Sequence, residues 1–122
     1  MKKILSLCSI LMLFACSNKA VSLDGEYKML NAPENAEITI GFEGDRYFGQ
    51  SAVNRYFGSF EKEGDKIKFG PAGATMMAGP EELMKAEQQY LQNLAKVTTY
   101  TINGKTLNLK GEGVNLSFEK QK

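Results

Sequence analysis

The sequence predicts a mainly β fold of the α+β type, built from antiparallel hairpins with one long helix. Apolar residues recur at every second position in short runs, which is the spacing of strands with one buried face. Glycine-containing turns separate these runs and indicate hairpins. Only residues 80–95 depart from this pattern, because their apolar residues recur at helical spacing.

Four strand candidates come first in the chain, and each places its alternating apolar side chains on one face of a sheet. Turn residues at Gly44-Asp45 and Gly64-Asp65 lie between candidates and predict antiparallel hairpins. The alternating sets are Tyr27 and Met29; Ile38, Ile40 and Phe42; Tyr56, Gly58 and Phe60; and Ile67 and Phe69.

The C-terminal third predicts three further strands. Segments 97–102 and 106–109 flank Asn103-Gly104, a pair that tolerates the positive φ angles of a type I′ turn. A glycine-containing turn at 111–113 then leads to a last strand at 114–118. We therefore expect another antiparallel hairpin followed by a returning strand.

Residues 80–95 predict the helix. Pro80 suits the first helical position, and Glu81 and Glu82 suit the positive end of the helix dipole. One face is apolar, and we expect it to pack on the sheet or to plug its open end. This face contains Leu83, Tyr90, Leu91 and Leu94.

Glu87 lies in the middle of that apolar face at helical spacing. Because an unpaired buried charge costs several kcal/mol, Glu87 needs a positive partner or a set of backbone donors. We expect it to pair with Arg46 or Arg55, or to accept hydrogen bonds from the loop at 75–77. A catalytic acid would need a second titratable group and a cleft, so a structural anchor is the favoured interpretation.

The N-terminus has the profile of a signal peptide, with positive residues at 2–3 and an apolar stretch at 4–14. That stretch is about half the roughly 20 residues of a membrane span. It ends in Leu13-Phe14-Ala15-Cys16, which resembles the bacterial lipobox and implies removal of residues 1–15 and lipid attachment to Cys16. The alternative is an ordinary secretory signal with an incidental cysteine.

Cleavage would leave a lipidated tether at 16–22 and one small domain at 23–120. The protein would be held on a membrane by its lipid. Ser17 follows the cysteine where aspartate is the usual inner-membrane retention signal of enteric-type bacteria, so we expect an outer-membrane anchor facing the periplasm. Loss of two lysines changes the formal charge from +1 to −1, which argues against nucleic acid as a partner.

Residue types also restrict the chemistry. The sequence has no histidine, and both cysteines lie within residues 1–16, so nucleophile–histidine systems and the usual zinc sites are excluded from the domain. Acidic residues fall mainly in turns, and glycines never form a phosphate-binding run before a helix. We therefore expect no catalytic residues, no cofactor and no metal.

Two segments resemble those of the META domain proteins, a family that includes the heat-shock lipoprotein HslJ. Residues 49–58, Gly-Gln-Ser-Ala-Val-Asn-Arg-Tyr-Phe-Gly, are similar to the family's Gly-Cys-Asn-x-Tyr-x-Gly core. Residues 75–80, Thr-Met-Met-Ala-Gly-Pro, are similar to its Thr-x-Met-Ala-Cys segment. The resemblance covers residues 23–118 and implies a bent antiparallel sheet that closes toward a small lipocalin-like barrel with one helix against it.

Val53 and Gly79 occupy positions where the family often has cysteine. Their joint absence implies that the two cysteines form a disulfide elsewhere in the family. Asn54 could contact a ligand, but hydrogen bonding to its own backbone in a tight turn is the favoured interpretation. The candidate binding or structural motif contains Asn54, Arg55, Tyr56, Thr75, Met76, Met77 and Glu87.

An aromatic and sulfur cluster is the other candidate site, formed by Tyr47, Phe48, Tyr56, Phe57, Met76 and Met77. If Tyr47 and Phe57 both face outward, they form an apolar patch for a protein or a hydrophobic small molecule. The alternative, that barrel closure and the helix cover them, is favoured.

The family resemblance implies a link to envelope stress and drug tolerance without an agreed biochemical activity. We expect a non-enzymatic, membrane-anchored module that binds an envelope protein. The alternative is a lipocalin-like binder of a small hydrophobic ligand, and a cryptic enzyme is disfavoured. An enclosed apolar pocket of several hundred Å³ would favour the binder, whereas a packed interior with an exposed patch would favour the module.

Overall fold

The computed structural model describes residues 22–121, so the predicted signal peptide, Cys16 and all of the tether except Ser22 lie outside the described residues. The described chain forms nine strands and one helix. These are β1 (Gly25–Met29), β2 (Thr39–Glu43), β3 (Arg46–Gln50), β4 (Arg55–Glu63), β5 (Lys66–Phe69), β6 (Gly73–Ala74), α1 (Glu81–Ala95), β7 (Val97–Asn103), β8 (Thr106–Gly111) and β9 (Val114–Lys120).

Eight of the strands form a closed antiparallel barrel. Their order is β3-β2-β1-β9-β8-β7-β5-β4, and pairing of β3 with β4 closes the ring. The prediction of a mainly β fold closing toward a small barrel with one helix is confirmed. The short strand β6 pairs only with β4, and within residues 22–121 it is the one strand that has a neighbouring strand on one side only.

Side chains fill the inside of the barrel. Every apolar position that the period-two pattern assigned to an inner face is buried, from Tyr27 to Phe69. Aromatic rings meet edge to face in this core, with centroids 5.2 Å apart for Phe42 and Phe60 and 5.0 Å apart for Tyr47 and Phe69. The barrel therefore has a packed core where a lipocalin would hold its ligand.

Helix α1 packs across one end of the barrel, with Tyr90 and Leu94 buried against the core. The predicted proline position is wrong by one residue, because Pro80 is the N-cap with an extended ψ of 145° and the helix begins at Glu81. No helix within residues 22–121 is both long and apolar enough to cross a membrane.

The opposite end of the barrel is made of tight turns. Gly44, Gly64 and Gly104 each open a two-residue turn with φ between +62° and +65°. The predicted type I′ turn at Asn103-Gly104 is wrong, because β7 includes Asn103 and only Gly104 of the Gly104-Lys105 turn has positive φ. Positive φ at the first central residue alone is the pattern of a type II′ turn. Strand β1 also begins at this end.

Candidate functional site

The connection between β3 and β4 positions the candidate site. In this connection the backbone carbonyl of Asn54 accepts two hydrogen bonds from Ser51, one from its N–H at 2.8 Å and one from its hydroxyl at 3.0 Å. Ala52 adopts a φ of +85°, a conformation that non-glycine residues seldom take. This tight loop turns the N–H groups of Val53 and Asn54 toward α1.

Glu87 receives those N–H groups. Its Oε1 accepts from Val53 N at 3.0 Å and from Asn54 N at 2.7 Å, and its Oε2 accepts from Asn54 Nδ2 at 2.8 Å. The expectation of backbone donors is correct, but the predicted partners are wrong. Neither arginine nor the 75–77 loop bonds to this carboxylate within the described residues, because the loop before β4 is closer to the helix.

The same bonds control the ionisation of Glu87, which is only 7% exposed. Burial favours the neutral acid and acts to raise the pKa of Glu87. Hydrogen bonds from the Asn54 side chain and from the backbone N–H groups of Asn54 and Val53 favour the carboxylate and outweigh burial, so the pKa is lowered. Glu87 is thus held as an anion, which suits an anchor better than a general acid at neutral pH.

The other side of the Asn54 amide holds the segment that follows β6. Its Oδ1 accepts from Thr75 Oγ1 at 2.8 Å and from Met77 N at 2.6 Å, and its Nδ2 donates to Met77 O at 3.2 Å. The prediction that this side chain bonds its own backbone is wrong, since all of these partners lie more than 20 residues away. Asn54 acts on Met77 as a neighbouring strand would.

Thr75 and Arg55 extend this pairing. The Thr75 N–H donates to Arg55 O at 3.0 Å, and the Arg55 N–H donates to Thr75 Oγ1 at 3.2 Å. Residues 73–77 therefore run extended beside the start of β4. We call this stretch the edge segment, and we call Asn54 and Glu87 the clamp that holds it.

Tyr56 is buried under the clamp. Its hydroxyl donates to Thr39 O at 2.6 Å and lies 2.5 Å from the hydroxyl of Tyr90 on α1. Because the single proton of Tyr56 is directed to Thr39, Tyr90 must be the donor in the tyrosine pair. Burial, followed by the proximity of Tyr90, raises the pKa of Tyr56 well above its usual range. This motif residue joins the helix to the barrel.

An exposed apolar patch lies beside the clamp. Met76 is 95% exposed, Met77 62% and Phe57 46%, and we call these three residues the methionine patch. The favoured prediction, that both Tyr47 and Phe57 are covered, is correct for Tyr47, because its ring points into the core and its hydroxyl donates to Gly70 O at 2.7 Å. It is wrong for Phe57. Phe57 alone of that pair faces outward.

Two grooves open on the barrel surface. One of about 450 Å³ lies beside the patch, with Phe48, Phe57, Gln50 and Arg55 among its lining residues. The larger, of about 620 Å³, lies at the junction of β5 and β7, where a single pair, Lys66 and Thr99, joins the strands. The first is bounded by strands, and the second by strands and Ala95 at the end of α1, so neither is the enclosed pocket expected of a lipocalin-like binder.

Val53, which precedes Asn54 of the clamp, lies next to Gly79. A Cβ added to Gly79 would be 3.7 Å from the Val53 Cβ, within the range that a disulfide spans. The implied proximity of these two positions agrees with the structure. In the part of the chain that the structure describes, no group of three or more histidine, cysteine or acidic residues is placed to hold a metal.

Sequence reasoning missed four features of the site. Ser51 and the N–H of Val53 took no part in the predicted motif, and the positive φ of Ala52 leaves no composition signal. Strand β6 has only two residues, too few for alternation to show. No local signal in the sequence marks residues 73–77 as extended, because the restriction that Pro80 imposes acts only on Gly79.

Comparisons with known proteins agree with this architecture. A family model described as META domain matches residues 16–122. The fold is similar to the NMR structure of a protein from Burkholderia xenovorans, with a TM-score of 0.67 and 24% identity over 82% of this chain and 84% of that one.

A second solved structure is also similar, the crystal structure of a DUF4847 family protein from Bacteroides vulgatus ATCC 8482. Its TM-score is 0.59 at 12% identity, covering 86% of this chain and 99% of that one. At such identities these two structures support the fold alone. No curated protein sequence matches the chain.

Proposed function

The chain belongs to the META domain family, and from that premise we propose that it is a membrane-anchored envelope lipoprotein whose barrel binds another protein without catalysing a reaction. The lipid would be carried by Cys16. The bound protein would connect the domain to envelope stress or drug tolerance, as the family resemblance implies.

The combination of a filled barrel and an exposed methionine patch carries this proposal. Side chains occupy the interior that a lipocalin-like binder would keep open. Three of the four large hydrophobic side chains that are exposed in the described chain belong to the edge segment or to the strand beside it: Met76 and Met77 on the edge segment, and Phe57 on β4. Exposed methionines are adaptable contacts and are frequent at surfaces that bind other proteins.

The position of the N-terminus supports presentation of this patch. Strand β1 begins at the barrel end formed by the glycine turns, whereas the clamp and α1 lie at the other end. A lipid attached through the short segment before Ser22 would therefore hold the turn end toward the membrane. The methionine patch would face away from it and would be accessible to a partner in the periplasm.

Anchoring is tested by Cys16→Ser in cells grown with labelled palmitate. We expect the variant to remain an unprocessed precursor without label, while the unchanged protein is labelled and shortened. Normal labelling of the variant would overturn the lipoprotein assignment.

Partner binding is tested with a photoreactive amino acid placed at Met77 in the intact envelope. A matched probe at Asn115, which is exposed on β9, controls for random encounters. We expect a discrete crosslinked species from position 77 that the probe at 115 does not give. Equal labelling from both positions would contradict the assignment of the patch.

The physiological link is tested by returning variants to cells that lack the protein. Met76→Glu together with Met77→Glu should leave the fold intact, because both side chains are exposed. We expect this variant to fail to restore survival under envelope stress. If the variant restores survival fully, the methionine patch is not required for the role in envelope stress.

The groove at the β5 and β7 junction supports the alternative, binding of a small hydrophobic ligand. Its volume of about 620 Å³ lies within the usual range of ligand sites, and Ile67, Ala95 and Val97 give it apolar walls. Ala95→Phe would fill it. If this alternative holds, that change abolishes binding of a hydrophobic fluorescent probe, whereas Ala74→Phe, on the distant edge segment, leaves probe binding unchanged.

A further inference from the structure

The free edge of β6 and the methionine patch coincide, and this combination points beyond general partner binding. Each of the eight barrel strands has a neighbouring strand on both sides, whereas β6, among residues 22–121, has a neighbour on one side only. An open edge offers N–H and C=O groups to another extended chain. In this protein the open edge lies beside the most exposed apolar side chains of the described region.

Backbone alternation shows which groups the edge segment offers. The N–H groups of Thr75 and Met77 turn inward, to Arg55 O and Asn54 Oδ1. Successive residues of an extended chain direct these groups to opposite sides, so the N–H and C=O of Ala74 and Met76 point outward. No hydrogen bond to the outward N–H of Met76 is present within the described residues.

The clamp holds this edge in an extended conformation. Asn54 bonds both backbone groups of Met77, and Glu87 fixes Asn54 through a buried carboxylate. A segment that is already extended loses less conformational entropy when a second strand pairs with it. The clamp therefore gives the exposed segment the geometry that strand addition requires.

The register between β4 and the edge segment determines which side chains lie next to the open edge of β6. On the outer face of β4, Phe57 lies opposite Gly73, and Arg55 lies opposite Thr75. The Phe57 ring extends over Gly73, since a Cβ there would come within 2.7 Å of its Cε1. A side chain on the added strand beside Gly73 would thus reach an aromatic ring.

Arg55 indicates the charge of a strand that would pair with the edge segment. Its side chain is exposed, and no carboxylate lies within ion-pair distance of it among the described residues. An acidic side chain on the added strand, beside Thr75, would supply that partner. A second copy of this chain would instead bring a second Arg55 to the same edge, which disfavours self-pairing.

We propose that the edge segment binds an extended segment of a partner protein by strand addition, and that this segment carries an acidic residue two positions from an aromatic one. Spacing of two places both side chains on one face, where Arg55 and Phe57 lie. This inference rests on the proposed function and specifies its mode and its ligand class.

The test uses short capped peptides of alternating threonine and valine, with glutamate and phenylalanine two positions apart. A control peptide exchanges the phenylalanine with its neighbour, so that the two side chains face opposite ways. A second control peptide carries N-methyl groups on the backbone nitrogens along one edge of the peptide, so that this edge cannot donate hydrogen bonds to the protein. We expect binding of the first peptide and at least tenfold weaker binding of both controls.

Two substitutions at Met76 separate backbone pairing from side-chain contact. Met76→Pro and Met76→Thr both remove the methionine side chain, but only proline removes the outward N–H. We expect peptide affinity to fall at least about tenfold more in the proline variant than in the threonine variant. Arg55→Gln should weaken binding about threefold to tenfold at low salt and much less at high salt.

Several outcomes would overturn the proposal. Equal binding of the N-methylated peptide excludes strand addition, and it does so even if the proline variant fails to fold. Equal binding of the exchanged peptide, or no binding at all, excludes the acidic and aromatic spacing. Dimerisation of the protein that Met76→Pro abolishes assigns the edge to a second copy.

The envelope crosslink from position 77 keeps this proposal distinct from the proposed function. If that crosslink forms while the peptide tests fail, the domain binds a partner by another mode. If the peptides bind while position 77 gives no specific crosslink, binding by strand addition is supported and the proposed partner binding in the envelope is contradicted.

Discussion

Glu87 on α1 and Asn54 before β4 are joined by two hydrogen bonds, one of 2.8 Å from the Asn54 side-chain amide and one of 2.7 Å from its backbone N–H. Asn54 bonds Met77 with the remaining atoms of the same amide. A single buried pair thus connects the helix, the barrel and the exposed edge segment. The energetic consequences of this connection can be measured.

Glu87→Ala should destabilise the domain by about 2 to 4 kcal/mol, because it leaves buried N–H donors of Val53 and Asn54 without an acceptor. Urea denaturation at neutral pH measures the loss. Gln88→Ala, on the exposed side of the same helix, is the control and should change stability by less than about 0.5 kcal/mol. Similar values for the two variants would contradict the anchoring role.

Stability should also depend on pH through Glu87. Its pKa is lower in the folded protein than in the unfolded chain, so the unfolded state binds the proton more readily. The resulting stabilisation is present above the usual glutamate pKa of about 4.3 and is lost as the pH falls through the lower folded value. The difference in unfolding free energy between the unchanged protein and Glu87→Gln should therefore shrink in that window.

The same titration needs a control without an ionisable change. For Gln88→Ala the difference from the unchanged protein should stay constant from neutral pH to about pH 3. If the Glu87→Gln difference is also constant, the folded and unfolded pKa values of Glu87 are equal and the hydrogen bonds do not favour its charged form.

The sequence predicted the barrel strands well because each has one face in the core. Period-two alternation records that burial directly, as Ile38, Ile40 and Phe42 illustrate. The position of Glu87 on an apolar helix face likewise revealed a buried charge that required partners. The spacing of apolar residues was therefore sufficient to predict the elements whose structure depends on burial alone.

The partners of Glu87 could not be read from the sequence. Arg46, Arg55 and the loop at 75–77 were the predicted partners, whereas the carboxylate is satisfied mainly by backbone N–H groups of the loop before β4, and every residue except proline has such a group. The turn that directs those groups to the helix contains Ala52 at a positive φ, which the sequence does not reveal. Strand β6 was missed for a related reason, since a side chain, Asn54, continues its pairing.

The buried tyrosine pair predicts an asymmetry between two similar substitutions. Tyr56→Phe removes the donor to Thr39 O and the acceptor for Tyr90, so both of those groups lose a partner. Tyr90→Phe removes one donor and leaves the Tyr56 bond to Thr39 in place. We expect a loss of about 2 to 3 kcal/mol for the first and about 1 kcal/mol for the second.

Thermal or urea unfolding of both single variants tests this order. The double variant shows whether the two hydroxyls are coupled, because the losses then fail to add. A larger loss for Tyr90→Phe than for Tyr56→Phe would mean that Tyr56 donates to Tyr90 and not to Thr39.

Val53→Cys with Gly79→Cys should introduce a disulfide that stabilises the domain. The Cβ positions are 3.7 Å apart, and Gly79 does not require positive φ, so cysteine fits its backbone. The added Cβ meets the Val53 methyls at 3.0 and 3.1 Å, and replacing valine removes this crowding. Closing a loop of this length stabilises by about 3.5 kcal/mol in the chain-entropy account.

The measurement uses a chain with Cys8 and Cys16 changed to serine, so that the new pair holds the only thiols. Thiol titration should find no free cysteine after oxidation, and the urea midpoint should rise relative to the reduced form. The reduced double variant is the matched control, because it has the same side chains without the bond. Since the bond would fix the loop before β4 against the start of α1, peptide binding at the edge segment should be retained. Thiols that stay free under oxidising conditions would show that the two positions do not approach each other as the structure requires.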